Sequence, residues 1–119
     1  MNFPERGVLV EREIELAWAA GFFDGEGTTS CLRARRDKYI YIRMSITQKF
    51  PELLEKFRDI VGYGKVYSNS RGMYSWDCYK QSDVPKVLTL LWPYLSEIKK
   101  KQARIAKLKV EERRSSCGV

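Results

Sequence analysis

Histidine is absent from the 119 residues. That absence removes Ser-His-Asp catalysis, Cys-His nucleophiles, histidine general bases and histidine metal ligands. Cysteine is scarce. Cys31, Cys78 and Cys117 lie far apart with no Cys-x-x-Cys spacing, which speaks against a zinc site. Three scattered thiols fit a reducing, intracellular setting, either a prokaryotic cytoplasm or an organelle. No apolar run is long enough to cross a bilayer, and residues 1–9 are too polar and short for a secretory signal. Acids are outnumbered, 15 against 22 basic residues, for a net charge of +7. The expected partner is acidic, and nucleic acid fits better than a membrane or a small-molecule substrate. Any chemistry must come from carboxylates, lysines and a metal ion.

The stretch from Leu16 to Gly27 reads Leu-Ala-Trp-Ala-Ala-Gly-Phe-Phe-Asp-Gly-Glu-Gly. Residues 16–23 carry no charged side chain, so a helix here is apolar all round and must be buried on more than one side. Ala17, Ala20 and Gly21 are three and four residues apart and share a face. Side chains that small let a second backbone approach. Gly25 and Gly27 allow the helix to end, which releases Asp24 and Glu26 at its C-terminus. That end carries partial negative charge, so two carboxylates there call for a cation. Oxygen-only ligands suit Mg²⁺, Mn²⁺ or Ca²⁺.

The remaining chain alternates helices and hairpins. Residues 1–10 read as a lead-in, and the first helix is expected from near Glu11 to Asp24. A strand is expected over Thr28–Arg36, with a bulge or an early end, then a turn at Arg36-Asp37-Lys38. Tyr39–Gln48 alternates cleanly. Ile40, Ile42, Met44 and Ile46 form one face, and Tyr39, Tyr41, Arg43, Ser45 and Thr47 form the other. The second face is aromatic, basic and hydroxylic, and contains no acid. A helix follows over Pro51–Val61 with Leu53, Leu54, Phe57, Ile60 and Val61 as its stripe. A second hairpin turns at Arg71-Gly72, with Val66, Trp76 and Cys78 internal. Ser82 is placed to cap a third helix that Pro93 ends. A last helix from Ser96 shows Ile98, Ile105 and Leu108 among many charges, and the tail from Ser115 reads as disordered. The order predicts one α+β domain over residues 1–119, αββαββα. Its four-stranded antiparallel sheet carries helices on one face.

Ala19–Gly27, Ala-Ala-Gly-Phe-Phe-Asp-Gly-Glu-Gly, resembles the nine-residue LAGLIDADG motif of a family of homing endonucleases. One copy is present. The coarse element order resembles that of the LAGLIDADG domain across nearly the whole chain. The resemblance implies metal-dependent cutting of both strands of a long, pseudo-palindromic DNA target. One motif implies half an enzyme, hence a homodimer through the first helix at Ala17, Ala20, Gly21 and Asp24, with Asp24 supporting the helix junction. It implies Glu26 as metal ligand, with the Gly25 carbonyl as a second. Mg²⁺ is the expected ion, Mn²⁺ the substitute, and Ca²⁺ an ion that supports binding without cleavage. Ile46-Thr47-Gln48-Lys49 resembles the end of the second strand in small members, which implies Gln48 as the residue positioning water. Ile98-Lys99-Lys100-Lys101-Gln102 resembles the region whose lysine lies near the scissile phosphate, and Lys99 is the choice among the three. The chain departs from the pattern at Pro51-Glu52, where a basic residue is expected.

A two-stranded ribbon fits the major groove of DNA. The expected contacts are Tyr39, Tyr41, Arg43 and Ser45, followed by Arg33, Arg35, Arg36, Lys38, Lys49, Tyr67, Asn69, Arg71, Ser75 and Asp77. A non-cleaving DNA-binding regulator, or an RNA-splicing maturase of the same fold, is the second reading. The second acid of the motif, Glu26, favours the enzyme.

Overall fold

The computed structural model describes the backbone over residues 7–36 and 39–117 and side chains over 11–36 and 39–113. The elements are helix α1 (Gly7–Glu26), strands β1 (Gly27–Ala34) and β2 (Tyr39–Gln48), helix α2 (Glu52–Val61), strands β3 (Lys65–Ser68) and β4 (Tyr74–Cys78), and helices α3 (Val84–Leu91) and α4 (Glu97–Cys117). A short 3₁₀ turn, Trp92–Tyr94, joins the last two helices. Residues 1–6 of the expected lead-in, Lys38 and residues 118–119 of the tail lie outside the described residues. The two helices at the ends of the chain are longer than expected. α1 takes in residues 7–10 of the lead-in, and α4 continues through residues 115–117, where a disordered tail was expected.

The sheet is antiparallel throughout, in the order β1-β2-β4-β3. The register is regular from Gly27↔Ile46 to Ala34↔Tyr39, so the first strand ends early instead of bulging. Directly opposed residues share a face. Met44, Ile46, Trp76 and Cys78 therefore line one face, and all are buried. Against them pack Ala19, Ala20 and Phe23 of α1, Leu54 and Phe57 of α2, and Val84, Val87 and Leu91 of α3. Phe57 is the hinge of this core. Its ring stacks on Phe23 at 6.2 Å and meets the edge of Trp76 at 4.7 Å. The Trp76 indole donates to the Tyr63 carbonyl oxygen at 2.9 Å, so its buried N–H is satisfied. Gly64 lies at φ +89°, and a Cβ there would strike the same indole.

Local expectations needed three corrections. Leu53 is 47% exposed and leaves the core stripe of α2 to its neighbours. Ser82 is not the cap of α3. Asp83 occupies that position, without a side-chain hydrogen bond to the helix. α4 also turns the opposite way round. Its buried face is Ala103, Ala106 and Val110, while Ile98, Ile105 and Leu108 are exposed. The alanines allow α4 to lie close beside the outer strand, where the Gln102 side chain accepts a hydrogen bond from the Thr29 N–H at 3.4 Å. That contact covers part of an open sheet edge. At the other end of the sheet Gln81 extends the ladder. It accepts from the Ile42 N–H at 3.0 Å and donates to the Ile42 carbonyl at 2.8 Å.

No described helix is long and apolar enough to cross a membrane.

Candidate metal centre and nucleic-acid interface

α1 passes into β1 without a loop, since Glu26 is the last helical residue and Gly27 the first of the strand. Neither Gly25 nor Gly27 takes a positive φ, so the expected conformational reason for these glycines does not hold. Gly27 is required by packing instead. A Cβ there would lie 2.3 Å from the Phe23 ring. Gly25 is exposed, with open space where its Cβ would be.

The two acids of the motif go separate ways. Asp24 is half-buried and turns inward. Its carboxylate accepts from the Ser96 N–H, 3.1 Å to each oxygen, and from the Ser96 hydroxyl at 2.9 Å. Ser96 precedes α4 and caps it, with its hydroxyl accepting from the Lys99 N–H at 3.4 Å. Asp24 thus ties the end of α1 to the start of α4. Glu26 is exposed, and among the described residues none hydrogen-bonds or pairs with its carboxylate.

Gly27 pairs with Ile46, so the chain just past Ile46 runs back along the end of α1. Gln48 and the α1–β1 junction at residues 25–27 therefore share one end of the sheet. Lys99 comes to the same place from α4. Its ammonium donates to the Gly27 carbonyl oxygen at 2.5 Å, next to Glu26. The neighbouring lysines do not. Lys100 pairs with Glu97 at 3.7 Å and lies over the Trp92 ring, and Lys101 is exposed. Glu26, Gln48 and Lys99 thus gather at one end of the molecule. Among the described residues no three His, Cys, Asp or Glu side chains converge. At this end the Glu26 carboxylate and the Gly25 carbonyl are the oxygen donors that could hold a hard cation such as Mg²⁺ or Ca²⁺.

Of the four expected interface residues, two lie on the open face of α1. Ala17 and Gly21, four apart, are exposed. Ala20 is fully buried in the chain's own core and Asp24 is engaged with Ser96. The 100° step per residue places 17 and 21 together and carries 20 round toward the sheet. Ile14, 64% exposed, lies on the same side one turn earlier.

The helix-free face of the sheet carries Tyr39, Tyr41, Arg43, Ser45 and Thr47 of β2, as the alternation predicts. Register adds Thr28 and Ser30 of β1 and Lys65 of β3, which sequence reading missed because a strand's facing is fixed only by its partner. Tyr39 and Tyr41 stack at 5.8 Å. Four expected base contacts are not open on this face. Arg33 opposes Ile40 and so lies on the helix side of the sheet. Asn69 spends its side-chain oxygen on the N–H groups of Arg71 and Met73, at 2.9 and 3.1 Å, and builds the hairpin. Ser75 and Asp77 are on the right face but each only 6% exposed, held by cross-strand hydrogen bonds to Thr47 and Ser45. Arg35 and Arg36 form the turn after β1 at φ 53° and 56° and are exposed. Arg71 lies in the β3–β4 loop and Lys49 just past β2, both exposed. Tyr67 is 45% exposed on β3.

The chain is a sheet platform with helices behind, a polar face in front, and an exposed carboxylate with a lysine at one end. The family model described as LAGLIDADG endonuclease matches residues 19–110. The chain belongs to the LAGLIDADG endonuclease family. Among solved structures it resembles the homing endonuclease I-CvuI, determined with the I-CreI target and Mg in an uncleaved state. The TM-score is 0.72 at 21% identity, over 82% of this chain and 66% of that one. It also resembles the homing endonuclease I-TnaI, at TM-score 0.66 and 26% identity over 83% and 76% of the two chains. The archaeal intron-encoded I-Vdi141I, complexed with DNA, matches at 0.62 and 24% over 69% and 56%. The chain thus spans about two thirds of I-CvuI. No curated protein sequence matches it.

Proposed function

We propose that the chain is a homodimeric, metal-dependent endonuclease that cuts both strands of a long, pseudo-palindromic DNA site. One observation carries the reading: Glu26 is exposed and has no partner among the described residues, at a helix C-terminus where an isolated carboxylate is unfavourable, and Lys99 stands beside it. A carboxylate so placed gains from a cation. The family match and the DNA complexes of I-CvuI and I-Vdi141I support the same reading.

The exposed Ala17 and Gly21 fit an isologous contact with a second copy, which would bring two Glu26 carboxylates together, one for each strand. Glu26 and the Gly25 carbonyl would hold Mg²⁺, or Mn²⁺ in its place. A bound divalent cation supplies Lewis acidity toward phosphate oxygens. Lys99 uses one of its three N–H donors on Gly27, which leaves two for the phosphate at the cut. Gln48, at the same end, would orient water. Tyr39, Tyr41 and Arg43 would face the major groove, with arginine matched to guanine. The free thiols of Cys31 and Cys78 fit a reducing intracellular setting.

Glu26→Gln tests the assignment. The amide keeps the shape and loses the charge, so folding and docking are expected to survive while cutting in Mg²⁺ disappears. Ca²⁺ is expected to support wild-type binding without cleavage. Gel cleavage with a parallel mobility shift reads both. Full cutting by Glu26→Gln removes Glu26 from the site.

A further inference from the structure

Asp77 stands at the centre of the helix-free face and is 6% exposed. It lies directly opposite Ser45 on β2 and Lys65 on β3. The Ser45 hydroxyl donates to one carboxylate oxygen at 2.6 Å. The Tyr67 hydroxyl donates to the other in a short hydrogen bond. A carboxylate accepts and does not donate, and each hydroxyl owns one proton. Both protons are therefore turned down into the sheet. The Asp77 hydrogen bond, then burial, then the Asp77 charge raise the Tyr67 pKa above its ordinary value, against smaller opposing effects of Arg43 and Ser75. The phenol thus keeps the proton it gives to Asp77.

What the two side chains still present outward is lone pairs. Tyr67 is 45% exposed and Ser45 partly so, so both side chains lie on the surface that a docked groove would meet. We infer that Asp77 is a positioning residue that fixes Ser45 and Tyr67 as hydrogen-bond acceptors only, so that this patch selects adenine or cytosine on the strand it contacts. In the major groove adenine offers N6–H and cytosine N4–H, whereas guanine and thymine set O6, N7 and O4 against the patch. An oxygen facing an oxygen is repulsive and leaves both without a partner. A free serine or tyrosine would turn its proton either way and read any of the four. The carboxylate removes that freedom without touching DNA itself. The inference rests on the duplex-binding reading above.

Selection of bound duplexes from a randomised library tests it, with wild type, Ser45→Ala, Tyr67→Phe and Asp77→Asn in parallel. The base positions that lose preference in Ser45→Ala or Tyr67→Phe are expected to carry A or C in the wild-type pool. Discrimination of roughly fivefold per position fits a single hydrogen bond. Asp77→Asn is expected to admit G and T at those same positions while other positions keep their preference. A purely structural role would weaken all positions alike. Should Asp77→Asn not fold, the two hydroxyl variants decide by the base identity at their positions. Positions that carry G or T in wild type, or an Asp77→Asn pool with unchanged preference, overturn the inference alone. A wild type that selects no duplex overturns the proposed function and the inference with it.

Discussion

The Asp24 carboxylate holds the start of α4 through Ser96, accepting from its backbone N–H at 3.1 Å and from its hydroxyl at 2.9 Å. A residue of the motif helix thus fixes a residue 72 positions away, and with it the helix that delivers Lys99. Hydrogen bonds to a charged acceptor are the stronger kind. Asp24→Asn keeps one acceptor oxygen and loses the charge. It is expected to cost about 1–3 kcal/mol in thermal or urea unfolding. An unchanged midpoint would show that the junction does not depend on this contact.

Lys99 is expected to matter more than its neighbours. Lys99→Gln removes the only ammonium of the 99–101 run that reaches the β1 start, and should slow cutting by about a hundredfold or more with little change in binding. Lys101→Gln, on an exposed side chain, should weaken binding modestly and leave the cutting rate of bound DNA unchanged. Single-turnover rates with saturating protein separate the two effects. Equal losses in both variants would move the phosphate contact away from Lys99.

Cys78 faces the core, and burial, with a smaller contribution from Asp83, pushes its thiol up to about 11 from 9.0. The folded chain therefore holds this proton to higher pH than the unfolded chain does. Stability from this source is complete below pH 9.0 and is lost as pH rises toward about 11. The Tyr67 shift acts in the same sense, starting from 10.0. Thermal midpoints are expected to fall across that window, and less steeply in Cys78→Ala than in the wild type. Parallel curves for the two proteins would remove the thiol as the cause.

The sequence was most legible where a single period dominates. Strict alternation in Tyr39–Gln48 gave the bounds and both faces of β2. The motif pointed to Glu26 and the wider family resemblance to Gln48 and Lys99; strand register and the Lys99–Gly27 hydrogen bond put the three at the same end of the sheet. Errors arose where a partner decides. Arg33 is basic and near the face, but its pairing with Ile40 turns it over. Asp77 is polar and on the face, yet Ser45 and Tyr67 hold it below the surface. In α4 the isoleucines and leucine outweigh the alanines in any hydrophobic pattern. Close approach to β1 favours Ala103 and Ala106, because a small side chain brings the backbones together where a branched one would not.

Gly21 and Gly27 occupy one motif and answer to different constraints. A Cβ on Gly27 would sit 2.3 to 2.8 Å from three atoms of the buried Phe23 ring. Gly27→Ala is therefore expected to destabilise the chain itself by about 1–3 kcal/mol, whatever its association state. Around Gly21 nothing lies within 4 Å of the same position. Within one chain Gly21→Ala relieves a flexible residue in a helix interior and should raise stability by about 0.5–1 kcal/mol. A partner helix packed on this face reverses the sign, because the added side chain would hold the two backbones apart. Gly21→Leu should then leave a folded protein that sediments as a monomer at concentrations where the wild type is a dimer, and that cuts poorly because the two Glu26 sites no longer meet. Sedimentation and far-UV circular dichroism on the same samples separate lost association from lost folding. A Gly21→Leu protein that still forms the wild-type dimer would exclude α1 as the interface.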